Sequence, residues 1–168
     1  AGHSLNYESL TGVVRAIGPR GGPPVPPLTV VGDFAGGGMS LAYGVVCALL
    51  EARGSGKGQV VDAAMIDGVM SLAAPFYAMH ESGMHTDAMG SNLFDGGAPY
   101  YNVYETSDGK YVSVAPIEGH FYALLLEKLG LDPAELPDRD DPKQWATLRE
   151  KMASIFATET REHWCELL

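Results

Sequence analysis

Three glycines follow an aspartate just before a long uncharged stretch of the chain. Asp33 comes first, the glycines occupy 36–38, and the uncharged stretch runs over 39–50. Each glycine inside a helix costs about 0.8 to 1 kcal/mol relative to alanine, so we expect another group to approach this backbone closely. The pattern predicts a helix over 34–53, with Asp33 as its N-cap.

The segments on either side of this helix predict an α/β order for the first half of the chain. A loop rich in proline and glycine covers 18–27, and an apolar strand is expected over 28–31. A second strand is expected over 59–64, and a second helix over 65–79. Strand, helix, strand and helix in this order are typical of an α/β fold.

The second half of the chain predicts a small α+β unit. Aromatic and β-branched residues at 100–106 and 110–115 are separated by Ser107-Asp108-Gly109, which indicates a hairpin. Apolar residues at helical spacing then predict helices over 120–129 and 142–156.

Composition excludes several classes of protein. The chain has 168 residues and a formal net charge of −10, which argues against a nucleic-acid partner. The uncharged stretch at 39–50 is shorter than the roughly 20 residues that a membrane span needs, so we expect no spanning helix. Two cysteines fit a reducing compartment, either cytoplasm or, in a eukaryote, an organelle such as a peroxisome or mitochondrion. The two ends of the sequence lead us to expect an internal segment of a longer protein.

Two carboxylates, Asp33 and Glu118, lie at predicted junctions between a strand and a helix, where ligand-binding or catalytic residues are often found. Asp33 follows a predicted strand and precedes a glycine-rich helix, a position at which open α/β sheets bind ligands; the alternative is that it only caps the helix. Glu118 lies at a strand-to-helix corner, where its carboxylate either caps the helix or orients an imidazole. The five histidines show no metal-ligand spacing, and we expect no metal site.

Four segments together resemble the α-methylacyl-CoA racemases within the CaiB/BaiF-type family III CoA transferases. These segments are GHSLNY at 2–7, PPLTVVGDFAGGGM at 26–39, GSGKGQVVDAAMIDG at 54–68 and FDGGAPYYNVYETSDGKYVSVAPIEGHFY at 94–122. The resemblance implies that 1–64 are part of a Rossmann-like CoA-binding large domain, that 65–95 are a linker with a helix, and that 96–168 are a truncated small α+β domain.

The resemblance also implies roles for individual residues. His3 and Asp33 match the two acid/base residues, and Glu118 matches the glutamate that hydrogen-bonds the histidine of the other subunit in an interlocked homodimer. Tyr7 matches a tyrosine near the active site. The residues expected to line the acyl pocket are Phe94, Tyr101 and Ile117. The family pattern has Asp after the histidine and Asn four residues before the aspartate, where this chain has Ser4 and Thr29.

The implied reaction interconverts (2R)- and (2S)-2-methylacyl-CoA thioesters through an enolate, with one base on each face of the α-carbon. Asp33 must be held protonated to act as an acid at neutral pH, and we expect burial beside Val30, Val31 and Phe34 to do this. We expect backbone N–H groups to stabilise the enolate, namely those of Asp33, Gly36, Gly37 and Gly38. No electrons move, so no cofactor is expected, and coenzyme A is part of the substrate.

Two other functions stay open at this stage. A family III CoA transferase would use Asp33 as a nucleophile that accepts the acyl group, whereas an inactive segment would serve only as an interaction module. Only four cations lie in the first half, Arg15, Arg20, Arg53 and Lys57, so we expect the isolated segment to bind acyl-CoA poorly.

Overall fold

The chain divides into two units, residues 1–89 and 90–168, and the computed structural model describes residues 2–168. The helix predicted within 65–95 belongs to the first unit. The domain boundaries expected after residues 64 and 95 stay predictions.

The first unit is helical. Its elements are α1 (Ser4–Leu10), α2 (Val13–Ala16), a π-helical segment (Val30–Met39), α3 (Ser40–Ser55) and α4 (Met65–Glu81). The predicted helices over 34–53 and 65–79 are confirmed, and both extend beyond the predicted bounds.

The strand predicted over 28–31 is wrong, because Val30 and Val31 open the π-helical segment. Thr29 is the N-cap of that segment, so the prediction that Asp33 is the cap is also wrong. The strand predicted over 59–64 does not form either, since 57–64 carry no regular structure. A strand needs a neighbouring strand for its backbone hydrogen bonds, and residues 2–89 contain none.

The π-helical segment continues directly into α3 and gives one helical run, Val30–Ser55, of 26 residues. By length and composition alone the run could cross a membrane, so the length argument against a spanning helix does not hold, and the absence of a membrane span stays a prediction. That argument counted only the stretch 39–50, whereas the helical run also includes 30–38 and 51–55. Only 6% of the most apolar part of the run is buried within the described residues. Core helices of larger soluble folds meet the same criteria of length and composition.

The second unit contains the predicted hairpin. Strands β1 (Asn102–Glu105) and β2 (Tyr111–Val114) are antiparallel, with Tyr104 opposite Val112. The helices are α5 (Gly119–Lys128), a short 3₁₀ turn (Pro133–Glu135), α6 (Trp145–Phe156) and α7 (Arg161–Leu167). The predicted hairpin and the two predicted helices are therefore confirmed.

A core cluster of the second unit joins the hairpin to α5, α6 and α7 and combines aliphatic with aromatic side chains. The Tyr104 ring stacks on Phe156, with centroids 5.0 Å apart, and Trp164 packs against Phe156 at its edge. The Tyr104 hydroxyl donates to the carbonyl oxygen of Pro99 at 2.6 Å. Burial raises the pKa of Tyr104, so this hydroxyl stays protonated and available as a donor.

Two buried tyrosines of this unit provide a matched test of that hydrogen bond. Tyr104→Phe leaves the buried Pro99 carbonyl without its donor and should lower the free energy of unfolding by about 1–2 kcal/mol. The Tyr122 hydroxyl is buried with no hydrogen-bond partner among the described residues, so Tyr122→Phe should leave stability unchanged or slightly higher. Equilibrium urea unfolding measures both changes; equal losses in the two variants would contradict this assignment.

Candidate active site

The Asp33 carboxylate is free and faces solvent within the described chain. It is exposed, and no hydrogen bond or ion pair in residues 2–168 engages it. The expected burial beside its apolar neighbours is wrong, because Val30 and Phe34 are themselves 53% and 64% exposed. The alternative that Asp33 only caps a helix is also excluded, since Thr29 occupies that position.

The Asp33 N–H group lies at the open N-terminal end of the π-helical segment. The first backbone bond that enters this segment runs from Phe34 N to Thr29 O at 3.2 Å. A π-helix bonds each N–H to the carbonyl five residues earlier, so the N–H groups of Gly36, Gly37 and Gly38 lie within the helix's own bonding pattern. The N–H groups before Phe34 belong to the end that a helix leaves unsatisfied.

Helix α4 approaches the backbone of the glycines at 36–38 closely, as the sequence predicts for some group. Gly36 is buried against α4, where an added Cβ would lie 2.6 Å from Val69 Cγ2 and 3.0 Å from Met65 O. An added Cβ on Gly68 of α4 would in turn overlap the Gly36 carbonyl oxygen. The two backbones therefore touch directly. Gly37 and Gly38 meet only the backbone of their own segment, and the substrate-binding role of all three glycines stays a prediction.

His3 is the N-cap residue of α1. Its N–H group donates to Asn6 Oδ1 at 2.9 Å, and its carbonyl accepts from Asn6 N at 2.8 Å. The His3 side chain is exposed. Tyr7 lies one turn further along, and its ring covers Gly2, whose added Cβ would be 3.3 Å from Tyr7 Cζ. The aromatic ring thus lies beside the residue that precedes His3.

Helix α1 meets the π-helical segment next to both predicted acid/base residues. Gly32 is buried, and an added Cβ there would overlap Ser4 Oγ and Glu8 Oε1. Ser4 follows His3 and Gly32 precedes Asp33. The structure therefore brings Ser4 and Gly32, the sequence neighbours of His3 and Asp33, into contact.

Glu118 and Ile117 lie in the second unit, in the turn between β2 and α5. Glu118 is the N-cap of α5, yet its side chain makes no capping hydrogen bond and is exposed. The helix-capping alternative is therefore wrong for this carboxylate. Arg139 holds the preceding turn, because its guanidinium donates to the carbonyl oxygens of Pro116 and Ile117.

The Arg139 guanidinium is itself held by two aromatic rings. It lies 4.0 Å from the ring centroid of Tyr100 and 4.4 Å from that of Tyr122. Trp145 Nε1 donates to the Arg139 carbonyl at 2.6 Å. This stack ties the turn before Glu118 to the core of the second unit.

Phe94 and Tyr101 contact each other edge to face, with ring centroids 5.3 Å apart. Asp95 organises the loop that carries Phe94. Its carboxylate accepts hydrogen bonds from four backbone N–H groups, those of Gly90, Ser91, Asn92 and Gly97. The role of Phe94, Tyr101 and Ile117 as acyl-pocket residues stays a prediction.

Sequence reasoning missed Glu8, Asp95 and Arg139. Ser4 and Glu8 are four residues apart, a spacing that predicts contact on a helix once α1 is recognised. Asp95 precedes two glycines, a pattern typical of a turn in which a carboxylate binds backbone N–H groups. Nothing in the sequence indicates that Arg139 reaches residues 116–117. Among the described residues no group of three His, Cys, Asp or Glu side chains is placed to hold a metal ion.

Comparison with known proteins identifies the family. The model of CoA-transferase family III matches residues 1–168, and the chain belongs to this family. The chain is 42% identical over 167 residues to alpha-methylacyl-CoA racemase of Mus musculus and 40% identical to that of Homo sapiens. In both cases the match covers 99% of this chain and 44% of the relative. The chain therefore spans less than half the length of these curated relatives.

Solved structures share the fold. A hypothetical protein from Mycobacterium tuberculosis superposes with a TM-score of 0.72 at 24% identity, over 99% of this chain and 44% of that one. A CaiB/BaiF family protein from Brucella suis also gives a TM-score of 0.72, at 21% identity, over 99% of this chain and 45% of that one. The mixed helix and sheet of the chain is thus the arrangement found in CaiB/BaiF family proteins.

Neighbouring glycines of the π-helical segment should respond oppositely to the same substitution. Gly36→Ala forces a Cβ into α4 and should lower the free energy of unfolding by about 1–3 kcal/mol or more. Gly37→Ala places its Cβ 3.4 Å from Gly32 O, an ordinary contact, and should raise stability by up to about 1 kcal/mol. Urea unfolding followed by circular dichroism compares the two variants. Equal effects would contradict the crossing at Gly36.

Loss of the Arg139 side chain should destabilise the second unit. Arg139→Ala removes the stacking and the two donated hydrogen bonds, at a cost of about 2–4 kcal/mol. Arg139→Lys should lie between this variant and wild type, because lysine lacks the planar fork. Arg161→Ala is the matched control, since the Arg161 side chain is exposed and its backbone bond to Asp108 is unaffected. Thermal unfolding measures the three variants, and an Arg139→Ala loss no larger than that of the control would contradict this role.

Proposed function

We propose that the protein containing this chain is a racemase that interconverts (2R)- and (2S)-2-methylacyl-CoA thioesters. The observation that carries the proposal is the contact of Gly32 with Ser4 and Glu8, next to Asp33 and His3. The similarity to mouse and human alpha-methylacyl-CoA racemase, which extends over 99% of the chain, supports the same reaction.

The residue types fit a two-base proton transfer. In one direction the His3 imidazole takes the α-proton and becomes imidazolium, while a protonated Asp33 carboxyl donates a proton to the opposite face of the α-carbon. The roles reverse in the other direction. The enolate that forms between these transfers carries its negative charge on the thioester oxygen. A free N–H group and the positive end of a helix dipole stabilise such an oxygen, and the Asp33 N–H group lies at such an end.

For the proton transfer proposed here, the exposed Asp33 carboxyl needs cover from solvent by groups outside the described residues. In our proposal this cover is supplied by the bound thioester and by the remainder of the longer protein, in which residues 1–64 form part of a Rossmann-like domain. The exposed apolar residues of α3 and the 91% exposed Val60 of the irregular stretch 57–64 support apolar contacts between this unit and the remainder of the longer protein.

The second unit supplies the remaining groups in this proposal. In an interlocked homodimer, Glu118 of one subunit hydrogen-bonds the His3 imidazole of the other and orients it. The Glu118 carboxylate supports this role, because it is exposed and makes no capping hydrogen bond to α5. Phe94, Tyr101 and Ile117 contribute apolar surface to the acyl pocket. The reaction needs no redox cofactor, because no electrons are transferred.

A CoA transferase is the second candidate. The chain is 31% identical to the succinyl-CoA:mesaconate CoA-transferase of Haloarcula marismortui, in a match that covers 80% of this chain and 34% of that protein. In such a reaction the Asp33 carboxylate would attack the thioester carbonyl and release the CoA thiolate, which leaves an acyl-aspartyl anhydride. The free Asp33 carboxylate fits both reactions, whereas a second base at His3 is needed only for racemisation.

The full-length protein provides the test. In deuterium oxide, wild type should exchange the α-proton of a 2-methylacyl-CoA for deuterium and racemise the thioester. His3→Gln and Asp33→Asn should each lower the racemisation rate by roughly 10²- to 10⁴-fold. Proton NMR measures the exchange, and chiral chromatography of the released acid measures racemisation.

Matched controls are available on exposed positions. His163→Gln and Asp132→Asn change the same residue types at exposed positions of the second unit and should retain wild-type rates, since Asn keeps the side-chain oxygen that accepts from Ala134 N. Absence of exchange in the wild type, together with a hydroxylamine-trapped acyl adduct on Asp33, would exclude the racemase and favour the transferase.

A further inference from the structure

A buried carboxylate of α1 lies against Gly32, the residue before Asp33, and takes no part in the proton transfer proposed above. Glu8 of α1 is only 1% exposed. The ion pairs of the described chain are His80 with Asp87, Lys110 with Asp108 and Arg139 with Asp140, and none includes Glu8. Burial of a carboxylate is unfavourable unless its oxygens are hydrogen-bonded, so the contacts of Glu8 indicate what it does.

The side chain of Glu8 joins α1 to the π-helical segment. Ser4 Oγ donates to Glu8 Oε1 at 2.8 Å, one helical turn away. Ser4 Oγ and Glu8 Oε1 both lie against the Gly32 backbone, so that a methyl group on residue 32 would overlap them. The Ser4–Glu8 pair therefore fills the space that a side chain at residue 32 would otherwise occupy.

The backbone of Glu8 fixes the other end of the same helix. Its carbonyl accepts from Thr11 Oγ1 at 2.6 Å. The Thr11 carbonyl in turn accepts from the hydroxyl of Tyr77, on α4, at 2.7 Å. Helix α1 is thus held to α4 at its C-terminal end and to the π-helical segment at its N-terminal end.

We propose that Glu8 is a positioning residue that sets the distance between His3 and Asp33. Ser4 directly follows His3, and Gly32 directly precedes Asp33. The contact that Glu8 makes with Ser4 and Gly32 therefore lies next to both predicted acid/base residues in the sequence. A displacement of reacting groups by about 1 Å lowers the reaction rate on the order of 10²-fold. A side chain that fixes their spacing therefore has a large effect on the rate. This inference rests on the proposed racemase function.

Four variants of the full-length protein test the role of Glu8. Glu8→Ala removes the spacer, Glu8→Gln keeps an oxygen that accepts from Ser4 Oγ, and Ser4→Ala removes the donor. Ser9→Ala is the matched control, because Ser9 is an exposed serine of α1 whose hydroxyl donates to Leu5 O of the same helix. Racemisation kinetics give kcat and KM, and amide hydrogen exchange of residues 31–34 reports whether the contact is intact.

A positioning role predicts a split between the kinetic constants. Glu8→Ala should lower kcat by roughly 10- to 100-fold with KM for the acyl-CoA little changed, and Glu8→Gln should recover most of kcat. Ser4→Ala should show a smaller loss than Glu8→Ala and decides the question if Glu8→Ala does not fold. Unchanged kcat in Ser4→Ala and Glu8→Ala, or a Glu8→Gln loss as large as that of Glu8→Ala, would overturn the proposal.

The exchange measurement separates this inference from the proposed function. Amides at 31–34 should exchange about 10-fold faster in Glu8→Ala than in wild type or in Ser9→Ala. If wild type does not racemise the thioester, the racemase fails, and unaltered amide exchange in Glu8→Ala would then overturn the positioning role on its own.

Discussion

The direct contact of two backbones, at Gly36 and Gly68, determines how the first unit is arranged. No side chain fits at either position, so the π-helical segment lies directly on α4. This crossing fixes the direction in which the start of the segment meets α1. Asp33 therefore lies on a helical segment whose backbone is fixed by packing, and not in a loop. The helical cost of the glycines is offset by this close packing.

The second unit uses a different kind of support for its predicted site residue. Aromatic stacking around Tyr104 and Phe156 forms the core, and Arg139 extends this order to the turn before Glu118 through two carbonyl oxygens. In both units a carboxylate of interest, Asp33 or Glu118, has no hydrogen-bond or ion-pair partner among residues 2–168, while the backbone beside it is fixed by packing. Free carboxylates on rigid backbone are suited to bind and move protons.

Much of the architecture could be predicted from local patterns. The hairpin follows from Ser107-Asp108-Gly109 between β-branched runs, and the helices follow from apolar spacing. The strand expected over 28–31 could not be distinguished from helix, because a short apolar run fits both and the π-helical segment extends through it. The expected burial of Asp33 depends on neighbours that are distant in sequence, and the contact of Gly32 with Glu8 depends on how two helices pack. Neither leaves a local signal.

A crystal structure of the full-length protein with a bound 2-methylacyl-CoA analogue tests the shared site of His3 and Asp33 most directly. We expect the His3 imidazole and the Asp33 carboxyl to lie on opposite faces of the α-carbon, each at about 3–3.5 Å. Side chains directed away from a common cleft, or both placed on one face of that carbon, would contradict racemisation by two bases.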